Sequence, residues 1–517
     1  MKSFTLSTMV ALSFLALTLT ATAQIPAPPD KPAEKPEEAA LPIPPETSSV
    51  TKHDWTSGSV TIHYTATAGN LLINDDKTNK AIGSLFYVAY TEDGVDAKTR
   101  PITFFYNGGP GSATAYLHMG SFGPVRVVTQ SPDATGPPPF QYVSNESSLL
   151  DKSDLVFIDA PLAGFSRTVG KGTLKDFAGV DEDVKAFEKF ILRYITLNQR
   201  WNSPKFLFGE SYGTPRSAAL VAALENDNVE FNGVTLLSSI LNYNVRAEGY
   251  DTPFIAYLPS YTAIAIQHNK GKHTGTLPEA VEQAREFARG PYAEALAQGD
   301  KLPAAQFDAI AQKLSDFTGL SVQYLKETKL RVSPGRFRKE LLRDDDRTLG
   351  RYDARFEGWD PDDAGDTPGY DPSSTGIGGA YVGALHEYLQ KDLKYMSTET
   401  YYLTAPGVNQ AWNFKHHPSG ASGPNAEQEM PDTAVDLADA MRKNPKLHVF
   451  SANGWFDLAT PFFATEYDLS HMMLPASLIG NVEFGYYPAG HMVYLNVDAL
   501  KQMKSDLSRF YDKAAPR

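Results

Sequence analysis

Gly209-Glu210-Ser211-Tyr212-Gly213 constrains this 517-residue chain more than any other segment, because of what stands on either side of it. Lys205-Phe206-Leu207-Phe208 is a short apolar run that reads as a buried strand. Thr214 to Leu224 is rich in Ala and Leu and reads as a helix. A Gly-x-Ser-x-Gly placed on a strand-to-helix turn is a nucleophile elbow, in which the tight turn lifts the serine hydroxyl above the sheet. Glycine suits such a turn because no Cβ has to fit into it. The pattern alone also recurs by chance, so groups elsewhere in the chain must decide what it means.

Those groups follow in the order Ser, acid, His that α/β-hydrolases use. Lys446-Leu-His-Val-Phe-Ser451 reads as a strand, and Asp457 lies in the loop after it, where open α/β sheets build their sites. Val482-Glu-Phe-Gly-Tyr-Tyr487 reads as the next strand, and it runs into Gly490-His491-Met492-Val493. Upstream, the strand-like Pro101-Ile-Thr-Phe-Phe-Tyr106 leads into Asn107-Gly108-Gly109-Pro110-Gly111-Ser112. That segment is either an ordinary Gly/Pro turn or a loop whose backbone N–H groups can approach a ligand. The fold expected is an α/β-hydrolase with a mostly parallel central sheet.

Taken together, Asn107-Gly-Gly-Pro-Gly111, Gly209-Glu-Ser-Tyr-Gly213, Asp457 after Asn453-Gly454, and Gly490-His-Met-Val493 resemble the serine carboxypeptidase family. Gly123-Pro124 and Asp159-Ala-Pro-Leu-Ala-Gly-Phe-Ser166 look like two further family segments. The resemblance runs from about Thr51 to the C-terminus, with only position to go on between about Arg246 and Thr400, where the family carries a variable cap. It implies Ser211 as the acylated nucleophile, His491 as general base and then acid, and Asp457 as the group orienting the imidazole. It further implies an oxyanion hole from the backbone N–H groups of Gly109 and Tyr212. Asn107 and Glu210 match positions that hydrogen-bond the free C-terminal carboxylate of a peptide. Two facing carboxylates repel unless one is protonated, so Glu210 should titrate high with substrate bound.

The chain also departs from the family. A second glutamate often lies two residues before the Gly-Pro, and Ser121 stands there instead. The histidine motif commonly ends in Pro, and here it ends in Tyr494. Cysteines near these motifs in many members are absent: Ser112 follows the glycine loop, and Leu458-Ala459-Thr460 follows the acid. The resemblance is to a bacterial-type exported member without cysteines.

Residues 1–23 begin with Lys2, continue through an apolar run near Val10 to Leu19, and end Ala21-Thr22-Ala23. This reads as a secretory signal peptide, its apolar core being too short for a membrane span. Residues 24–50 are dense in Pro, Ala, Glu and Lys and read as an extended linker. The expected location is exported, either periplasmic or secreted. A chain of this size can bury a large core without disulfides, and it contains no cysteine. A formal net charge of −14 with no basic stripe excludes a nucleic-acid partner. Asn145-Glu146-Ser147 is a formal glycosylation sequon.

The hydrolase core is expected over residues 51–242 and 401–517, separated by a largely helical cap over 243–400. Ala280, Ala284, Phe287 and Ala288 carry the helical spacing in that insertion. Ser59 to Ala66 and Ile82 to Tyr90 look like an antiparallel start to the sheet. The acidic loop from Asp360 to Asp371 does not match a calcium-binding loop and reads as solvated. His416-His417 lacks a carboxylate at ligand spacing and reads as a surface pair. No cofactor or metal is called for. The function expected is a serine-type carboxypeptidase acting on peptides with a free C-terminal carboxylate, with an esterase or acyltransferase using the same triad as the alternative.

Overall fold

The computed structural model describes residues 40–247, 249–423 and 426–515, so the signal-peptide reading and most of the linker lie outside the described residues. The central sheet is built from β1 (Ser48–Ser57), β2 (Val60–Asn74), β3 (Ala81–Glu92), β4 (Ile102–Tyr106), β5 (Asp154–Ile158), β6 (Lys205–Glu210), β7 (Gly233–Leu237), β8 (His448–Gly454) and β9 (Val482–Tyr487). Their order across the sheet is β1-β2-β3-β5-β4-β6-β7-β8-β9, with the two-residue strand Arg167–Thr168 added beside β3. β1 to β3 pair antiparallel, β3 meets β5 antiparallel, and every later pairing is parallel. Ser48–Val50, at the end of the segment read as linker, are already paired with Thr67–Gly69.

The strand sequences follow from these positions. Parallel strands covered by helices on both faces need apolar side chains throughout, and Ile102-Thr-Phe-Phe-Tyr106 is buried at all five positions. β2, second from the sheet edge, shows the alternation of a half-covered strand. Phe187, Phe190, Leu220 and Val221 pack one face through the helices Val180–Leu197 and Gly213–Asn226. Leu117, Met119, Leu500 and Leu507 cover the other face through Ala115–Gly120 and Val497–Ala514.

Between β7 and β8 the chain is mostly helical. Thr252–Gln267, Leu277–Phe287 and Ala304–Thr318 build a third apolar cluster from Leu258, Tyr261, Val281, Ala284 and Leu314, which reaches the core at Trp455 and Phe456. Leu277–Phe287 starts on a capping box, in which Glu279 accepts from both the backbone and the hydroxyl of Thr276. Ala280, Ala284 and Ala288 are buried, as their spacing predicts. The helix Gly378–Lys391, from the same stretch of chain, instead packs beside Ala115–Gly120 on the sheet.

Candidate active site

β6 ends at Glu210 and the next helix begins at Gly213, so Ser211 and Tyr212 make the whole turn. Such a turn forces Ser211 to φ +60°, the left-handed region that a side chain adopts only when its surroundings hold it there. Its N–H donates to the Leu237 carbonyl at 3.0 Å, which fixes the turn to the end of β7. A Cβ on Gly209 would come 2.1 Å from the Gly213 carbonyl oxygen, and one on Gly108 would come 2.3 Å from the Tyr212 nitrogen. Gly108 therefore lets the loop after β4 lie directly on the elbow.

A cavity of about 140 Å3 opens above this turn, lined by Asn107, Gly109, Glu210, Ser211 and His491 among others. The Gly109 and Tyr212 N–H groups meet no acceptor among the described residues. Tyr212 also precedes the first turn of a helix, where N–H groups lack partners and attract negative charge. Both are suited to a developing oxyanion.

His491 lines the cavity from the loop after β9, and Asp457 stands behind it on the loop after β8. Nδ1 of His491 lies 2.7 Å from Oδ2 of Asp457, and both side chains are buried. Asp457 is held from behind, its Oδ1 accepting the N–H groups of Ala459 at 2.7 Å and Thr460 at 2.9 Å. With Nδ1 donating to a carboxylate, Nε2 is the basic nitrogen, the tautomer a general base requires. The Tyr352 ring lies 5.2 Å from the imidazole. Ser211, Asp457 and His491 are thus brought to one place from three loops.

Asn107 and Glu210 share a wall of the cavity. Oδ1 of Asn107 accepts the Leu117 N–H at 2.9 Å, which leaves its NH2 group facing Glu210 and Tyr494. Burial pushes the Glu210 carboxyl up to about 7, although His491, a hydrogen bond from Tyr494 and the Asn107 amide pull the other way. Ser121, at the position of the family's second glutamate, turns its hydroxyl to the Leu117 carbonyl at 2.6 Å.

Arg216 escaped the sequence reading. It is fully buried, paired with Asp183 at 2.6 Å, and donates to the Asn107 carbonyl at 2.9 Å. Its guanidinium also lies 4.2 Å from the Phe187 ring centre. One side chain thereby ties the helix after the elbow to the loop carrying Asn107. A buried Arg inside Thr-Pro-Arg-Ser-Ala has no sequence signal, because its partner lies 33 residues upstream. Asp183→Ala leaves the Arg216 charge buried and unpaired, and urea unfolding should show a loss of about 3–5 kcal/mol. Glu387→Ala, at an exposed pair with Lys391, should cost about 0–1 kcal/mol.

Three other readings meet the structure away from the cavity. His416 corrects the surface-pair expectation: it is buried, with Nδ1 2.6 Å from Asp181 and Nε2 2.9 Å from Asp436. Asp360 is paired with the buried ammonium of Lys339 at 2.7 Å, so it too departs from a freely solvated loop. The Asn145 amide of the sequon is buried and donates to the carbonyls of Ser121 and Gly123, which closes it to a glycan. Among the described residues no group of three or more His, Asp or Glu side chains could hold a metal, and no helix is long and apolar enough to cross a membrane.

Comparison with known proteins agrees with this architecture. A prohormone-processing carboxypeptidase from Saccharomyces cerevisiae superposes with a TM-score of 0.53 at 16% identity, over 86% of this chain and 91% of its own. That likeness shows the α/β-hydrolase fold. Serine carboxypeptidase-like 33 of Arabidopsis thaliana is 25% identical over 215 residues, which are 40% of this chain and 42% of that protein, so the match spans less than half of the relative. A family model described as serine carboxypeptidase matches residues 61–477, the greater part of the chain, and the chain accordingly belongs to the serine carboxypeptidase family.

Proposed function

We propose that this protein is an exported serine-type carboxypeptidase, periplasmic or secreted, which releases C-terminal amino acids from peptides. The observation that carries the proposal is the wall shared by Asn107 and Glu210 in the cavity that also holds Ser211 and His491. A buried carboxyl raised to about 7 can be neutral near neutral pH and donate its proton to a substrate carboxylate. The cavity, about 140 Å3, is close in size to an engineered void of roughly 150 Å3 that admits benzene, so it suits one terminal residue.

In this reading His491 Nε2 takes the Ser211 proton as Oγ bonds to the last peptide carbonyl carbon. The carbonyl oxygen becomes an oxyanion facing the Gly109 and Tyr212 N–H groups. Collapse breaks the C–N bond, and His491 returns the proton to the departing amine. Water, deprotonated by His491, then attacks the acyl-enzyme and releases the shortened peptide and Ser211.

The test is amino-acid release from an N-blocked dipeptide and from its C-terminal amide. The free acid should be preferred about a hundredfold in kcat/KM, the worth of a charge-assisted hydrogen bond. Glu210 is neutral below about 7 and ionised above it. Free-acid kcat/KM should therefore fall as pH rises through that value, by about tenfold per pH unit, while amide turnover lacks this limb. Equal rates and equal profiles for the two substrates would refute carboxylate recognition; ester cleavage without any amino-acid release would favour an esterase or acyltransferase.

A further inference from the structure

The Tyr494 hydroxyl donates to Oε2 of Glu210 at 2.8 Å, between two residues that are both 3% exposed. The contact is built into the packing. A Cβ on Gly120 would come within 2.6 Å of the Tyr494 ring and 2.4 Å of the Tyr381 hydroxyl, so this glycine makes the room that the ring occupies. Glu210 lines the cavity and Tyr494 stands behind it. Burial holds the Tyr494 phenol well above its ordinary value, so it remains a neutral donor wherever the enzyme is folded and active.

We propose that Tyr494 is a positioning residue for carboxylate recognition: its hydroxyl, donated to Oε2, keeps the Glu210 proton on Oε1, directed to the terminal carboxylate of the peptide. The inference rests on the reading of Glu210 given above. In a neutral carboxyl the carbonyl oxygen is the better acceptor, so a donor fixed on Oε2 selects the form protonated at Oε1. One proton is taken from solvent as the free-acid peptide binds to ionised Glu210. The other groups facing Glu210 are His491 and Asp457 from the loops after β9 and β8, Asn107 from the loop after β4, and the phenols of Tyr116 and Tyr381. Both phenols are held neutral by burial, and among the described residues only the Tyr494 hydroxyl donates to the Glu210 carboxyl.

The experiment compares wild type and Tyr494→Phe on the blocked dipeptide acid and its amide, from about pH 5 to about pH 8. Thermal unfolding and fluorophosphonate labelling report whether the variant is intact. Free-acid KM should rise about tenfold at the acid end, where Glu210 is protonated in both proteins and only its orientation differs. The falling limb should move up by about one pH unit, since the ionised form loses a donor. Amide KM and both kcat values should stay as in the wild type. An unchanged free-acid KM and limb in a folded variant overturns the role of Tyr494. If Tyr494→Phe does not fold, Glu210→Gln gives the answer, because its carbonyl oxygen can accept from Tyr494 and its NH2 then faces the cavity. That variant should keep the free-acid preference and lose the limb, and loss of the preference overturns the proposal. A wild type indifferent to amidation fails the Glu210 reading itself, and the inference falls with it.

Discussion

Ser211→Ala should lower kcat for peptide release by roughly a millionfold, because nucleophile and base act as a unit and either loss removes the covalent route. Residual turnover should come from the oxyanion donors and substrate binding alone. The substitution removes one oxygen and leaves the φ +60° turn, whose Ser211 N–H is still bonded to Leu237. Asn107 and Glu210 are untouched, so the affinity for a free-acid peptide, measured by calorimetry, should stay within a few-fold. Mass spectrometry after a fluorophosphonate should show one adduct on the wild type and none on the variant. Amino-acid release by Ser211→Ala close to the wild-type rate would assign the chemistry to some other group. A wild type that binds peptides yet neither turns over nor takes the label would be a binding protein on this fold.

Asp457→Asn should cost about ten-thousandfold in kcat while leaving thermal unfolding nearly unchanged. The direction follows from where the amide must sit. Oδ1 of Asp457 accepts two backbone N–H groups, from Ala459 and Thr460, so the NH2 of an asparagine cannot take that place. It must replace Oδ2, 2.7 Å from His491 Nδ1, where it donates to the ring. His491 is then protonated on Nε2, which can no longer accept the serine proton in the reaction proposed above. The scaffold keeps its packing because the exchange is nearly isosteric. A rate within tenfold of the wild type would mean that Asp457 does not set the tautomer.

The two expectations rest on side chains that differ in how far the sequence revealed them. Ser211 was legible because a strand, a turn and a helix succeed one another between Lys205 and Asn226, each with its own local pattern. Asp457 and His491 were legible because each follows an apolar strand, and a loop after a parallel strand opens at the site end of the sheet. The antiparallel start was legible in the alternation of β2. The Glu210–Tyr494 contact and the Arg216–Asp183 pair were not, since their partners lie 284 and 33 residues apart in sequence. His416 failed as a surface reading for the same reason: Asp181 and Asp436 come to it from other elements.

By itself, the sequence determined the fold class, the strands and turns that carry the motifs, and the family, because each is written in local periodicity and short-range spacing. Tertiary structure alone decided that β5 lies between β3 and β4, that Gly120 makes room for Tyr494, and that Ser121 turns its hydroxyl to the Leu117 carbonyl. The reason is physical. Local pattern is set by backbone sterics and by which face of an element is apolar, whereas the partner of a buried polar group is set by which distant elements the packed core brings within hydrogen-bonding distance.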